Sequence, residues 1–250
     1  MTADLSHALP RVRGPKLLLT AAIALILIVG MVTMAGATAN AVVVAAPALG
    51  AAGNFAVLAG TAVTCSDGDI TGDVGVSPGT AITLTFCPVT GTINAPAAQA
   101  RTDYLTAYNA FKALPCDVAL TTLDDQTLAP GVYCFDAGAT STDGVLTLNG
   151  PADGIWIFKI GTLGTGALAA TGFSVMLGDA QACNVYWWVA EGATMTGSDF
   201  SGTILAGTST TLTDGTFNGR DLAKAAVTIT RTSVTGCGGA PLRPGNPVRK

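Results

Sequence analysis

The chain has 250 residues, of which 11% are charged, and a formal net charge of −4. That length accommodates one ordinary domain plus a targeting segment. Glu191 is the only glutamate, and a scarcity of Glu, Lys and Arg argues against a helical protein. Thr, Gly and Asp are abundant instead, and β-branched residues mixed with Gly and Asp point to short strands joined by turns.

Residues 1–39 read as an export segment. Arg11, Arg13 and Lys16 precede an apolar run from Leu17 to Met34, and Ala37-Thr38-Ala39 follows as an A-x-A cleavage site. The apolar run of residues 17–34 is also long enough to stay as a membrane anchor. Two outcomes are open: a secreted chain, or one held at the cell surface. Without residues 1–39, nine basic and fifteen acidic side chains remain, a net charge of −6. Such a surface repels nucleic acid and anionic lipid headgroups, so neither is expected as a partner.

From Leu49 to Phe86 the chain reads as strands and turns. Asp67, Asp69 and Asp73 lie in one Gly-containing stretch but lack the spacing and terminal Glu of an EF-hand, so they read as turn residues. A helix is expected over 95–114, with Asn94 as its cap, Pro96 in its first turn and Pro115 ending it. Ala100, Tyr104, Ala107, Tyr108, Phe111 and Leu114 form its apolar stripe. At some 20 residues it would be about 30 Å long, comparable to five or six stacked coils. It is expected to cover a face rich in small residues such as Gly202, Ala206, Gly219 and Ala223. Further strands are expected at Val145–Leu148, Ile155–Ile160, Phe173–Leu177 and Asn184–Val189. Trp187 and Trp188 read as packing residues. The folded domain is expected to span 47–238, with 239–250 as a disordered tail.

The C-terminal part repeats. Thr194-Met195-Thr196 recurs as Thr211-Leu212-Thr213 and as Thr228-Ile229-Thr230, each 17 residues on. Phe200, Phe217 and Val234 keep the same step, as do Gly202, Gly219 and Gly236. A fixed short period means stacked structural units. At about 3.3 Å per residue, 17 residues make a coil of three short strands, stacked in parallel. Side chains alternate along a strand, so Met195, Leu212 and Ile229 point inward and the flanking threonines outward. Ile70-Thr71-Gly72-Asp73-Val74-Gly75-Val76 is similar to Phe200-Ser201-Gly202-Thr203-Ile204-Leu205-Ala206, so the N-terminal segment supplies coils too. From the residues alone, the threonine ladder is either a binding face or a solvated one.

Chemistry is sparse. His7, the single histidine, lies in the export segment, which excludes His-dependent nucleophilic catalysis and His-based metal sites from the mature chain. Arg220, Asp221 and Lys224 are the best charged group for an enzyme of the polysaccharide-cleaving solenoid kind, and they are few. No enzyme activity, cofactor or metal is expected. The even number of cysteines in an exported chain points to three disulfides among Cys65, Cys87, Cys116, Cys134, Cys183 and Cys237. Fifteen pairings are open.

Between Leu49 and Cys237 the sequence resembles the microbial ice-binding (antifreeze) proteins. The resemblance is carried by Asn54-Phe55-Ala56-Val57-Leu58-Ala59-Gly60, Leu128-Ala129-Pro130-Gly131-Val132-Tyr133, Gln181-Ala182-Cys183-Asn184-Val185-Tyr186-Trp187 and Asn218-Gly219-Arg220-Asp221-Leu222-Ala223. It implies a discontinuous right-handed parallel β-solenoid, triangular in section and mainly β, with one long helix alongside. It implies adsorption of a monomer to an ice crystal, restraining ice growth and recrystallisation, with no small-molecule substrate. It also implies a Cys183–Cys237 bridge; the other four cysteines are not general in the family, and this departure suggests Cys65–Cys87 and Cys116–Cys134 bridges beside it. Asp221 stands where such proteins often carry a small apolar residue. The ice-contacting residues expected here are Thr194, Thr196, Thr211, Thr213, Thr228 and Thr230. The rival expectation is a structural or adhesive surface solenoid without ice activity.

Overall fold

Short runs of alternating apolar and polar residues, broken by Gly, Asp or Pro, form nineteen strands in the computed structural model, which describes residues 45–237. The expected export segment and C-terminal tail lie outside the described residues. The N-terminal strands are β1 (Phe55–Ala59), β2 (Ala62–Ser66), β3 (Asp69–Thr71), β4 (Asp73–Val76), β5 (Ala81–Thr85) and β6 (Ile93–Asn94). Helix α1 (Ala98–Ala113) follows. Next come β7 (Val118–Ala119), β8 (Gln126–Leu128), β9 (Gly131–Phe135), β10 (Ala139–Thr142) and β11 (Val145–Leu148). Then follow β12 (Trp156–Ile160), β13 (Leu168–Thr171), β14 (Ser174–Leu177), β15 (Val185–Val189) and β16 (Ala193–Thr196). The last three are long and bend from face to face: β17 (Asp199–Ala206), β18 (Thr210–Ala223) and β19 (Val227–Thr235).

All strand pairings are parallel, and they sort into three faces. One face stacks β10, β13, β16, β18, β19, β2 and β5 in that order. A second stacks β8, β11, β14, β17, β18, β19 and β3. The third runs β7, β9, β12, β15, β17, β18, β1, β4 and β6. The 17-residue period is met directly, since Phe200 pairs with Phe217 and Phe217 with Val234. The stacking order is discontinuous in sequence: β2 lies on β19, so the N-terminal coils sit on the C-terminal end. Ile70 falls in the Phe200 column, on Val234, as the sequence similarity implied.

Inside the solenoid the alternate side chains stack coil on coil. Tyr133, Phe158, Trp187, Phe200 and Phe217 form a file of rings with successive centroids 4.1–5.8 Å apart. Offset and tilted ring pairs add to their area burial. Trp187 Nε1 keeps a partner, donating to the Ser201 carbonyl at 3.0 Å. The bridges are Cys183–Cys237, as the resemblance implied, and Cys65–Cys87 and Cys116–Cys134, as the departures from the family suggested.

Helix α1 lies on the third face. Its buried stripe is Ala100, Tyr104, Ala107, Tyr108 and Phe111, five of the six positions expected; Leu114 follows the last helical residue and is only partly buried. Three expectations are corrected. The helix runs from Ala98 to Ala113 rather than over 95–114, so Pro96 precedes it instead of occupying its first turn. Asn94 does not cap the helix; it belongs to β6, pairs with Gly75 and bonds Thr92, and no side chain caps the first turn. Nor is the covered surface built of small residues. Ala206 and Ala223 point into the solenoid core, whereas Leu58, Trp188, Leu205 and Leu222 meet the helix. The small residues serve the helix through their carbonyls: Tyr104 Oη donates to Ala206 O at 2.5 Å, and Arg101 Nη1 to Ala223 O at 3.1 Å.

Candidate functional site

On the first face the alternation places every second side chain outward. Two columns result. Thr140, Ala169, Thr194, Thr211, Thr228, Thr64 and Thr83 form one. Thr142, Thr171, Thr196, Thr213, Thr230, Ser66 and Thr85 form the other. All six threonines expected from the repeat stand here together, each exposed or half-exposed. Eight further positions complete seven rungs, and six of these are threonines too. Beneath the columns, Ala170, Met195, Leu212, Ile229 and Cys65 are buried and fix the strands from within.

The dimensions follow from sheet geometry. The columns are about 7 Å apart and the rungs about 4.8 Å apart, so seven rungs extend about 29 Å. Neither column contains a charged residue. Soluble sheets usually cover an open face with charge, and this one does not. A third line of outward positions runs beside the first column: Gly138, Ala167, Gly192, Ser209, Ala226, Ala62 and Ala81. None of these side chains is larger than Ser.

The other border is a corner with a common backbone conformation. Asp143, Gly172, Gly197, Asp214, Arg231, Asp67 and Phe86 each follow the second threonine column, and each has φ between 46° and 63°. Left-handed backbone at that turn is easy for Gly and tolerated by Asp. This is the physical content of the turn role expected for Asp67. Asp69 and Asp73 instead begin strands, where Asp69 accepts from Ser233 Oγ at 3.0 Å and Asp73 from the Thr92 amide at 2.7 Å. Among the described residues no group of three metal-ligating side chains comes together.

The charged trio of Arg220, Asp221 and Lys224 does not share a groove. Arg220 Nε donates to Gly53 O at 2.8 Å. Lys224 Nζ sits 3.7 Å from the Tyr108 ring centroid. Asp221 is fully buried in the solenoid core, where Thr210 Oγ1 donates to its Oδ2 at 2.8 Å and its Oδ1 has no partner. Burial pushes the Asp221 carboxyl up to about 7, partly offset by that hydrogen bond.

The missed rungs carry a readable signal. Thr64-x-Ser66, Thr83-x-Thr85 and Thr140-x-Thr142 repeat the motif, but insertions break the period. Thr140 to Ala169 is 29 residues, Ala169 to Thr194 is 25, and Thr64 to Thr83 is 19.

The geometry defines a class: a discontinuous parallel β-solenoid with a helix on one face and an open hydroxyl-and-methyl face on another. The family profile described as "Ice-binding-like" matches residues 57–235, and the chain belongs to that family. It is 39% identical over 175 residues to an ice-binding protein of Nostoc sp. (strain HG1), covering 66% of this chain and 64% of that protein. It is 41% identical over 118 residues to ice-binding protein 1 of Shewanella frigidimarina (strain NCIMB 400), covering 43% of this chain and 13% of that protein. The chain thus spans less than two thirds of either relative. The crystal structure of an ice-binding protein from the Antarctic ascomycete Antarctomyces psychrotrophicus superposes with a TM-score of 0.70 at 34% identity. That match covers 76% of this chain and 98% of the ascomycete protein.

Proposed function

We propose that this chain adsorbs to ice through its threonine face and so restrains ice growth and recrystallisation. The observation that carries the reading is the seven-rung, two-column ladder without charge. Its methyl groups favour an ordered water layer and its hydroxyls hydrogen-bond into that layer. Each contact is weak. Binding therefore depends on many simultaneous contacts and on a scaffold whose ordering cost has already been met by folding. Parallel pairing on both sides of each inner rung and three disulfides supply that rigidity. The family and its named relatives support the same target.

The reading includes no catalysis, a monomer in solution, and export by residues 1–39, with cleavage or retention as an anchor. The test is the double variant Thr211→Lys/Thr213→Lys, both positions being on the central rung. It is expected to abolish thermal hysteresis while its circular dichroism spectrum stays that of the parent. A variant that keeps its hysteresis would overturn the face assignment.

A further inference from the structure

We infer that Asp214 is a positioning residue for the ice-contacting face: it holds the Arg231 guanidinium along the corner, away from the threonine columns. The inference rests on the proposed role of that face. Five of the seven corner positions are Gly or Asp, which are short and suit the left-handed turn. Arg231 occupies the same turn with φ 46°, a conformation an arginine adopts only at a cost. It directly follows Thr230, and its coil lies between those of Thr213 and Thr64. Its stem of three methylenes is long enough to bend back over Thr230. A mobile cation there would break the flatness and neutrality of the face.

The structure shows the guanidinium tied down instead. Arg231 Nε donates to Asp214 Oδ1 at 2.5 Å and Nη2 to Asp214 Oδ2 at 2.8 Å. This two-point grip fixes the guanidinium plane as well as its position. Asp214 holds the equivalent corner on the neighbouring coil, 17 residues earlier, so the pair runs along the stacking direction. Asp67, on the coil beyond, adds further attraction. Both side chains are about half exposed, 56% for Arg231 and 46% for Asp214. An exposed pair of this kind contributes little to stability. Its effect is on where the arginine is, which is the quantity the ice-contacting face depends on.

Asp214→Asn keeps the size of the side chain and its tolerance for the left-handed turn, and removes the carboxylate. Thermal hysteresis at equal concentration is expected to fall about twofold or more, because each adsorption event must now order a loose arginine. The melting temperature is expected to stay at the parent value. Adding Arg231→Gly to that variant is expected to restore hysteresis, since Gly suits the turn and has nothing to sweep across the face. Parent-level hysteresis in Asp214→Asn, or a double variant that stays low, overturns the inference. Thr211→Lys/Thr213→Lys measured alongside separates the two levels. If that chain loses hysteresis while Asp214→Asn does not, only the positioning role falls. If it keeps its hysteresis, the threonine-face reading falls and this inference with it.

Discussion

The threonine face and the helix-covered face are cut from the same coils, yet they meet opposite fates. Where Trp188, Leu205, Leu222 and Leu58 point outward, a helix has been laid over them and two tyrosines anchor it to strand carbonyls. Where threonines point outward in the same coils, the sheet stays open. The backbone is alike on both faces. What differs is the outward column, and it decides whether a sheet face becomes interior or stays open. A threonine column is apolar enough to avoid strong hydration and polar enough to need no cover.

Lysine placed on each face exposes that difference most strongly. Leu222→Lys puts an unpaired charge beneath α1, and at least about 4 kcal/mol of stability should be lost in chemical denaturation. Thr211→Lys alone should shift stability by no more than about 0.5 kcal/mol. Equal losses at the two sites would break the comparison.

Two effects of about equal size concern the solenoid that carries both faces. Opening Cys183–Cys237, whose partners are 54 residues apart, should cost about 4 kcal/mol in the chain-entropy account. Replacing both by Ser and following thermal unfolding checks it. Asp221 makes stability depend on pH in an unusual direction. Its folded carboxyl keeps its proton up to about pH 7, whereas in the unfolded chain it titrates near its ordinary value of 3.8. The folded state binds more protons between those limits, so its stability is greatest below the lower one and falls as pH rises towards 7. The loss amounts to about 4 kcal/mol, and the difference between parent and Asp221→Asn isolates it. Tyr104 on α1 adds a like-signed influence only at high pH, since burial raises its own ionisation well above the usual phenol range.

A smaller effect concerns the joint between the helix and the solenoid. Tyr104→Phe removes the hydrogen bond to Ala206 O and should cost about 1 kcal/mol, while leaving ice activity at the parent level. A loss of hysteresis in that variant would mean that the covered face contributes to function.

The unequal legibility of these two faces has a physical reason. The coils from Thr194 to Thr235 keep an uninterrupted 17-residue step, so register, alternation and outward threonines follow from spacing. Below them, insertions move the rungs off the step: residues 178–184 lengthen the coil between Ala169 and Thr194, and residues 161–167 add to the coil between Thr140 and Ala169. Above them, chain order and stacking order part company, because β2 rests on β19 across more than half the chain. No local pattern in Thr64 or Thr83 announces that neighbour. On the covered face the difference is one of phase: Leu205 and Ala206 are adjacent along a strand, and that single step exchanges inside for outside. Asp221 stood out as unusual in sequence, but its burial and its missing partner depend on coils brought together only by the fold.

The central claim is that one continuous ladder, contributed by both ends of the described chain, meets the ice. Thermal hysteresis of three lysine pairs tests it most directly: Thr211/Thr213 from the C-terminal coils, Thr64/Ser66 from the N-terminal ones, and Thr216/Asn218 on the second face. The account predicts that the first two pairs abolish activity and that the third leaves it at the parent level, with all three chains folded. Full activity in the Thr64/Ser66 variant, or its loss in the Thr216/Asn218 variant, would contradict it.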